Sequence, residues 1–192
     1  MAAPERELGS PHPERGVIEL LSAEAARAQQ TGLVTVLTDS VDGGASVGFL
    51  PPLDREEAIR YWQSVVAAVG KGSRRLWIAR EPDGTVIGTV QLDLETRANG
   101  NHRAEVMKLM VHRASRQRGI GRALMLAAEA EARRLERTTL VLDTRQGDPS
   151  ERLYRSLGWE LGGVIPRYAR SADGKLDPSA FYYRLLDQQA GC

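Results

Sequence analysis

Apolar residues recur every three or four positions in two long stretches of the chain. Between Asp54 and Gly70 they mark one face of a helix that includes Ile59 and Trp62. The stretch that follows Gly121 has the same spacing. Elsewhere, capping residues and a proline at a first turn indicate shorter helices. Helices are therefore predicted after Ser22, from Asp54 to Gly70, from Gly121 to Leu135 and from Asp148-Pro149 to Leu157.

Short apolar or alternating runs bounded by turn residues predict strands. Pro82-Asp83-Gly84 is a turn between two such runs, which indicates an antiparallel hairpin. Strands are predicted at Val17–Leu21, Leu76–Arg80, Thr85–Leu94, Glu105–His112, Thr139–Thr144, Trp159–Val164 and Ala180–Leu186. This order predicts an α/β (α+β) fold, with a mixed, mostly antiparallel central sheet flanked by helices.

The domain organisation is expected to be simple. Residues 17–192 contain no linker or internal repeat and are predicted to form a single domain. Residues 1–16 are rich in proline and charge, which predicts a disordered tail. This start also lacks the apolar core of a signal peptide.

Composition excludes several classes of function. The 26 basic and 25 acidic residues leave a net charge of +1, so we expect no nucleic-acid partner and no membrane association. Cys192 is the only cysteine, which rules out a disulfide within the chain and fits a reducing, cytoplasmic setting. The three histidines His12, His102 and His112 do not form a metal-ligand spacing, so no metal site is expected.

The segment from Glu105 to Arg122 carries the most chemical information. A predicted strand runs into Arg116-x-x-Gly119-x-Gly121, where a helix begins. Glycines let the backbone approach a ligand closely, and the free N–H groups of a helix start favour a pyrophosphate. Arginine side chains at 116, 118 and 122 add positive charge. A dinucleotide-binding loop would need a third glycine, but Leu124 holds its place.

The same segment resembles the central motif of the GNAT N-acetyltransferases, through Leu109-Met-Val111 and Arg116-Gln-Arg-Gly-Ile-Gly121. A second family motif is Leu153-Tyr-Arg-Ser-Leu-Gly-Trp159, in which Trp159 replaces a phenylalanine. The resemblance covers roughly 76–186 and implies the GNAT fold with acetyl-CoA as co-substrate. It implies that the backbone pairs with the pantetheine arm at Leu109, Met110 and Val111, and that the pyrophosphate is held by Arg116, Gln117, Arg118, Gly119, Ile120, Gly121 and Arg122.

The resemblance also gives Tyr154 the role of the acid that protonates the leaving thiolate, and a neutral phenol is a suitable donor. The alternative is that Tyr154 only packs on its helix face. The chain departs from the family pattern at Gly147 and Ser150, where asparagine and alanine are common. One side-chain contact to CoA is therefore not expected here.

Several further segments resemble the tabtoxin-resistance acetyltransferases, a bacterial subfamily that acetylates a β-lactam amino-acid toxin. They are Gly43-Gly-Ala-Ser-Val-Gly-Phe49, Arg103-Ala-Glu-Val106, Leu142-Asp-Thr144 and Asp173-Gly-Lys-Leu-x-Pro178. This likeness suggests a toxin- or antibiotic-like acceptor without fixing it.

An amine attacks a thioester only as the free base, so a proton acceptor is needed near neutral pH. Glu105 and Asp143 are the candidates. Glu105 is expected on the same strand face as Met107 and Leu109, and Asp143 follows a buried run. The alternative role for each carboxylate is a cap or an ion pair. Without a suitable cysteine nucleophile, direct transfer in a ternary complex is expected.

The leading hypothesis is an enzyme that acetylates the amine of a small molecule. The alternatives are acetylation of a protein or peptide amine, and a non-catalytic module that senses acyl-CoA. A homodimer formed through the final strands is a further possibility. Phe49, Trp159 and Tyr168 are candidates for the wall of an acceptor pocket, whereas Glu129 is expected on a solvated helix face.

Overall fold

The computed structural model describes residues 16–186. The predicted tail, apart from Gly16, lies outside these residues, as do His12 and Cys192. The strands are β1 (Val17–Leu20), β2 (Arg74–Arg80), β3 (Val86–Leu94), β4 (Arg103–Val111), β5 (Thr139–Arg145), β6 (Glu160–Arg170) and β7 (Leu176–Leu185). The helices are α1 (Ala23–Ala28), α2 (Gln30–Asp42), α3 (Arg55–Gly70), α4 (Ile120–Arg134) and α5 (Ser150–Ser156), and a 3₁₀ turn covers Arg113–Ser115.

The strands form one sheet in the order β1-β2-β3-β4-β5-β7-β6. β4 and β5 are parallel, and every other neighbouring pair is antiparallel. This arrangement confirms the predicted mixed, mostly antiparallel sheet. Within residues 16–186 no helix is long and apolar enough to cross a membrane.

Helices cover both faces of the sheet, and each face has its own apolar core. On one face α1, α2 and α3 pack around the fully buried Trp62, as the apolar spacing of α3 predicts. On the other face α4 packs through Leu124 and Ala128 against Val106 and Trp77. The alternation of strand side chains assigns successive residues to opposite cores, which fixes the register of the central strands.

A bulge interrupts β4 and changes which face its residues present. Lys108 has a φ of +52°, and the pairing with β3 shifts between Met107 and Met110. Leu109 therefore packs into the α4 core together with Val106, opposite to the face of Glu105. The expectation that Glu105 and Leu109 share a face is wrong, because strict alternation fails where an extra residue enters the strand.

β4 and β5 pair only at their first residues. Their hydrogen-bonded register covers Arg103–Glu105 and Thr139–Val141, after which the two strands separate. The backbone edge of β4 from Val106 onward therefore faces a gap in the sheet on its β5 side. This gap is the main interruption in the central sheet.

Of the predicted helix caps, one is confirmed and two are not, and one predicted exposed residue is buried. Ser22 caps α1 as predicted, since its Oγ accepts from the Ala25 amide at 3.1 Å. Asp54 occupies the N-cap of α3 without a side-chain bond. Asp148 does not cap α5, because its carboxylate binds the Arg145 guanidinium at 3.0 Å. Glu129 is buried, which contradicts its expected place on a solvated face.

Candidate active site

The start of α4 is an anion-binding element beside the gap between β4 and β5. Gly119 caps the helix in the left-handed region with a φ of +77°, and Gln117 is also left-handed with a φ of +64°. No acidic side chain lies in the first turn of α4. The first N–H groups of a helix have no intrahelical acceptor, so this turn offers donors and a positive dipole to an anion.

The three arginines of this segment hold the loop in different ways. The Arg116 Nε donates to the carbonyl of Val111 at 3.1 Å, and Arg122 donates to the Ser156 hydroxyl at 2.6 Å. The Arg118 guanidinium forms an ion pair with Glu81 at 2.6 Å. The positive charge of Arg118 is therefore already compensated by the β2–β3 turn, whereas Arg116 and Arg122 are exposed.

Glu105 lies on β4 where the two parallel strands begin to separate. Its side chain is half-buried on the face that α2 and α3 cover, because its neighbours Ala104 and Val106 belong to the opposite core. Burial raises the pKa of Glu105, and the negative charges of Asp143 and Asp93 raise it further. A carboxylate of this kind is a suitable general base.

Asp143 lies on β5, on the same face as Glu105. The side chains of Leu140 and Leu142 enter the α4 core, so Asp143 is directed to the other face. The buried Ser179 donates its hydroxyl proton to Asp143 at 2.7 Å. Glu105 and Asp143 therefore lie on the same face of the sheet.

Tyr154 lies on α5, buried against two other aromatic rings. Its ring centroid is 6.2 Å from that of Trp159 and 6.0 Å from that of Tyr182. Burial raises the pKa of Tyr154, a hydrogen bond with Ser150 lowers it, and the negative charge of Asp143 adds to the increase. The phenol therefore stays protonated, as a hydrogen-bond donor must. The charge of Asp143 raises the pKa of both Tyr154 and Glu105. We call these three residues the electrostatic cluster.

Sequence reasoning missed Lys108, which belongs to the same cluster. Its half-buried ammonium group lies 5.8 Å from the centre of the Tyr61 ring. Burial lowers the pKa of Lys108, whereas the charges of Asp143 and Glu105 oppose that change. Strict alternation from Ala104 and Val106 would place residue 108 in the same core. A lysine at that position is the signal that could have revealed the bulge.

A hydrogen-bonded polar network from β2, β3 and α3 lies next to Lys108. The sequence did not predict it. Arg74 binds Asp93 at 2.8 Å and the Gln91 amide oxygen at 3.2 Å. The fully buried Gln91 donates to the Tyr61 hydroxyl at 2.9 Å. Burial raises the pKa of Tyr61 to about 12, so this phenol is neutral. The network fixes the Tyr61 ring below Lys108.

A cleft of about 460 Å³ lies near Lys108, because Gly48 lines it and a Cβ added to Gly48 would be 3.4 Å from the Lys108 Nζ. The loop between α2 and α3 contributes Gly48 and Phe49 to its wall, and the ends of β5 and β6 contribute Arg145 and Arg170. Three residues were expected in the wall of an acceptor pocket, and of these Phe49 lines this cleft. Trp159 is instead buried under α4, where its indole N–H donates to Glu129 at 2.8 Å. Tyr168 is exposed on β6 and contacts the ring of Phe181.

Within residues 16–186 no group of three or more histidine, cysteine, aspartate or glutamate side chains is arranged to hold a metal ion.

Known proteins resemble this chain in sequence and in fold. The chain is 34% identical over 110 residues to an uncharacterized N-acetyltransferase in the hisH–hisA intergenic region of Azospirillum brasilense. That match covers 56% of this chain and 63% of the relative, so the chain spans less than two thirds of that relative's length.

Two solved structures have the same fold at low sequence identity. A ribosomal-protein-alanine N-acetyltransferase from Brucella melitensis superposes with a TM-score of 0.74 at 22% identity, covering 88% of this chain and 99% of its own. A phosphinothricin acetyltransferase from Sinorhizobium meliloti, in complex with acetyl-CoA, gives 0.73 at 23% identity and covers 93% and 92%. Residues 23–159, more than half of the chain, match the acetyltransferase (GNAT) family, and the chain therefore belongs to that family.

Proposed function

We propose that the protein is an acetyl-CoA-dependent N-acetyltransferase that transfers the acetyl group directly to the amine of a small molecule. The observation that supports this proposal is a carboxylate, Glu105, where β4 and β5 separate, together with a buried phenol, Tyr154, on which the charge of Asp143 in β5 acts. Glu105 has a raised pKa on β4, and Tyr154 is a buried neutral phenol on α5. Asp143 acts electrostatically on both groups, which supports a single reaction site.

The residues around the gap fit CoA. The left-handed Gly119 and Gln117 open the first turn of α4, and the absence of acidic side chains there suits a pyrophosphate. The unpaired edge of β4 at Leu109, Met110 and Val111 suits an extended amide-bearing arm. Arg116 and Arg122 are the exposed cations of the loop, and they contribute charge around the phosphates.

Each proposed residue has a defined part in the transfer. The amine nitrogen forms a bond to the thioester carbonyl carbon, and the carbon–sulfur bond breaks. Glu105 accepts the proton that the amine loses, directly or through a water molecule. Tyr154 donates its phenolic hydrogen to the sulfur that leaves as thiolate. Burial, with the charge of Asp143 added to it, holds the pKa of Glu105 above its usual range, so that this carboxylate is a stronger base than an exposed glutamate.

The acceptor is proposed to be an amino-acid-like toxin, antibiotic or metabolite. The cleft near Lys108 is lined mainly by the α2–α3 loop and by the ends of β5 and β6, and its volume suits a small molecule. The likeness to the tabtoxin-resistance subfamily supports the same class. Among the fold neighbours, the name of the Sinorhizobium protein specifies a small amino-acid analogue, whereas that of the Brucella protein specifies a ribosomal protein.

The test is to incubate the purified protein with acetyl-CoA and panels of amines, and to follow thiol release. Release that depends on small amines supports the proposal. Release only with peptides or proteins would replace it with protein acetylation. CoA binding without release from either panel would indicate a sensor of acyl-CoA. Acetylated protein isolated after exposure to acetyl-CoA alone would contradict direct transfer.

A further inference from the structure

The ammonium group of Lys108 lies between an aromatic ring and a loop and has no ion-pair partner among residues 16–186. The Tyr61 ring lies on one side of it, with the centroid 5.8 Å from Nζ. The loop between α2 and α3 lies on another side, since a Cβ added to Gly48 would be 3.4 Å from Nζ. Within residues 16–186 Lys108 has no carboxylate oxygen within 4.0 Å, the limit for an ion pair.

Two other cations of this region, Arg74 and Arg145, each have a carboxylate partner. Arg74 binds Asp93 at 2.8 Å, and Arg145 binds Asp148 at 3.0 Å. A half-buried charge without a partner is unfavourable, and the bulge of β4 nevertheless directs this side chain into the site. The lowered pKa of Lys108 agrees with its burial.

Lys108 connects the acceptor cleft with the proposed base. Gly48, at which an added Cβ would lie 3.4 Å from the ammonium nitrogen, also lines the cleft. Three residues earlier on β4, Glu105 shares the same electrostatic cluster, and the charges of both Glu105 and Asp143 act on Lys108. A ligand in the cleft therefore lies next to Lys108, whose charge interacts with that of Glu105.

We propose that Lys108 binds a carboxylate of the acceptor, so that the preferred substrates are small amines that also carry a carboxylate, as amino acids do. The inference rests on the acetyl transfer proposed above. The acceptor amine is directed to Glu105, while its carboxylate provides the counterion that Lys108 lacks. A site that leaves a charged group unpaired discriminates strongly against a ligand without the matching charge.

The experiment compares matched pairs of acceptors, each an amino acid and its carboxamide. The two members present the same amine but differ in the charge next to it. The carboxamide has the less basic amine and is intrinsically easier to acetylate at neutral pH, so a preference for the acid must come from the protein. We expect kcat/KM to be roughly 10- to 100-fold higher for the acid. In Lys108→Met we expect this preference to be lost, mainly because KM for the acid increases. In Lys108→Arg, which keeps the positive charge, we expect part of the preference to return.

Lys175→Met is the matched control, because Lys175 is exposed in the β6–β7 turn and pairs with Asp173. This variant should keep the wild-type preference. Thermal unfolding of both variants with and without CoA establishes that the fold and the CoA site are intact, and Lys108→Gln provides a second neutral substitution.

The outcomes separate the inference from the function on which it rests. Equal rates on both members of each pair, or a preference that survives in Lys108→Met, would overturn the role of Lys108 and leave the transferase activity standing. If kcat in Lys108→Met falls equally for both members of each pair, Lys108 acts only on the pKa of Glu105. That result would also overturn the inference. No thiol release with any amine would overturn the proposed function, and the inference with it.

Discussion

Asp143 and Glu105 lie on the same face of the sheet, on the two parallel strands that separate at the candidate active site, and the charge of Asp143 raises the pKa of Glu105. Burial is the larger cause of that increase, and Asp143 adds to it. Two carboxylates that share a site hold the proton of one of them more tightly. The protonation of Glu105 therefore depends on the charge of Asp143, even if Asp143 does not contact the substrate.

Replacing Asp143 with asparagine should shift the pH dependence of the reaction. Loss of the negative charge lowers the pKa of Glu105, so the acidic limb of kcat/KM should move to lower pH, because that limb reports the base of the free enzyme. Asparagine still accepts the bond from Ser179. Asp93, Lys108 and Arg74 also act on Glu105 and are unchanged in this variant. An unchanged limb would show that Glu105 does not titrate in the reaction.

The control for this shift is Asp83→Asn, in the exposed β2–β3 turn. Its carboxylate accepts from the Thr85 amide at 2.9 Å, a bond that asparagine retains. Asp83 is not among the charges that act on Glu105. Its replacement should therefore leave the pH profile in place, which distinguishes a local effect from a change in net charge.

Replacing Glu105 with glutamine should reduce kcat by about 10²- to 10⁴-fold, the usual contribution of a general base. CoA affinity should not change, because Glu105 lies outside the α4 loop. Thiol release and calorimetric titration with CoA measure the two quantities. Glu160→Gln is the control, since Glu160 lies exposed on β6 and accepts a bond from Tyr183. A loss below about threefold would assign the base to another group, with Asp143 as the next candidate.

Replacing Tyr154 with phenylalanine should lower kcat roughly 10²-fold while leaving CoA affinity unchanged. The ring contacts with Trp159 and Tyr182 remain, so the packing of α5 is preserved. The matched variant is Tyr183→Phe, which removes a phenol on β7 that donates to Glu160. If Tyr154→Phe retains full kcat, this tyrosine only packs on its helix.

Replacing Gly119 with valine should weaken CoA binding by about tenfold or more. A β-branched residue in the left-handed region costs roughly 1–2 kcal/mol, and 1.4 kcal/mol corresponds to a tenfold change in affinity. Gly174→Val is the control, because Gly174 has a φ of +85° with open space around it in the β6–β7 turn. Both variants carry backbone strain, but only the first should raise the dissociation constant of CoA in calorimetric titration.

Most of the fold could be predicted from periodicity, because alternation and helical spacing record which side chains face a core. The extent of β6 could not. The prediction ends at Val164, yet the strand continues to Arg170. Gly162, Gly163 and Pro166 argue against a strand locally, but pairing with β7 extends it, and the register shift between Ile165 and Ala169 accommodates the proline.

Two residues of the site region show why sequence spacing alone was insufficient. Lys108 enters the cluster because the backbone of β4 adopts a positive φ, and that conformation depends on the neighbouring strand. Glu129 is buried because partners from distant elements meet it, namely the Trp159 indole and the Arg184 guanidinium. The common face of Glu105 and Asp143 follows from alternation, because Glu105 precedes the bulge of β4 and β5 is regular around Asp143.

The buried Glu129 gives a prediction about stability. It is 1% exposed, accepts from Trp159 at 2.8 Å and lies 3.5 Å from the Arg184 guanidinium. Glu129→Ala leaves both donors without an acceptor, so we expect the free energy of unfolding to fall by about 3–5 kcal/mol in urea titrations. Asp173→Ala breaks an exposed pair with Lys175 and should change it by less than about 1 kcal/mol. Equal losses in the two variants would show that burial does not determine what an ion pair contributes in this protein.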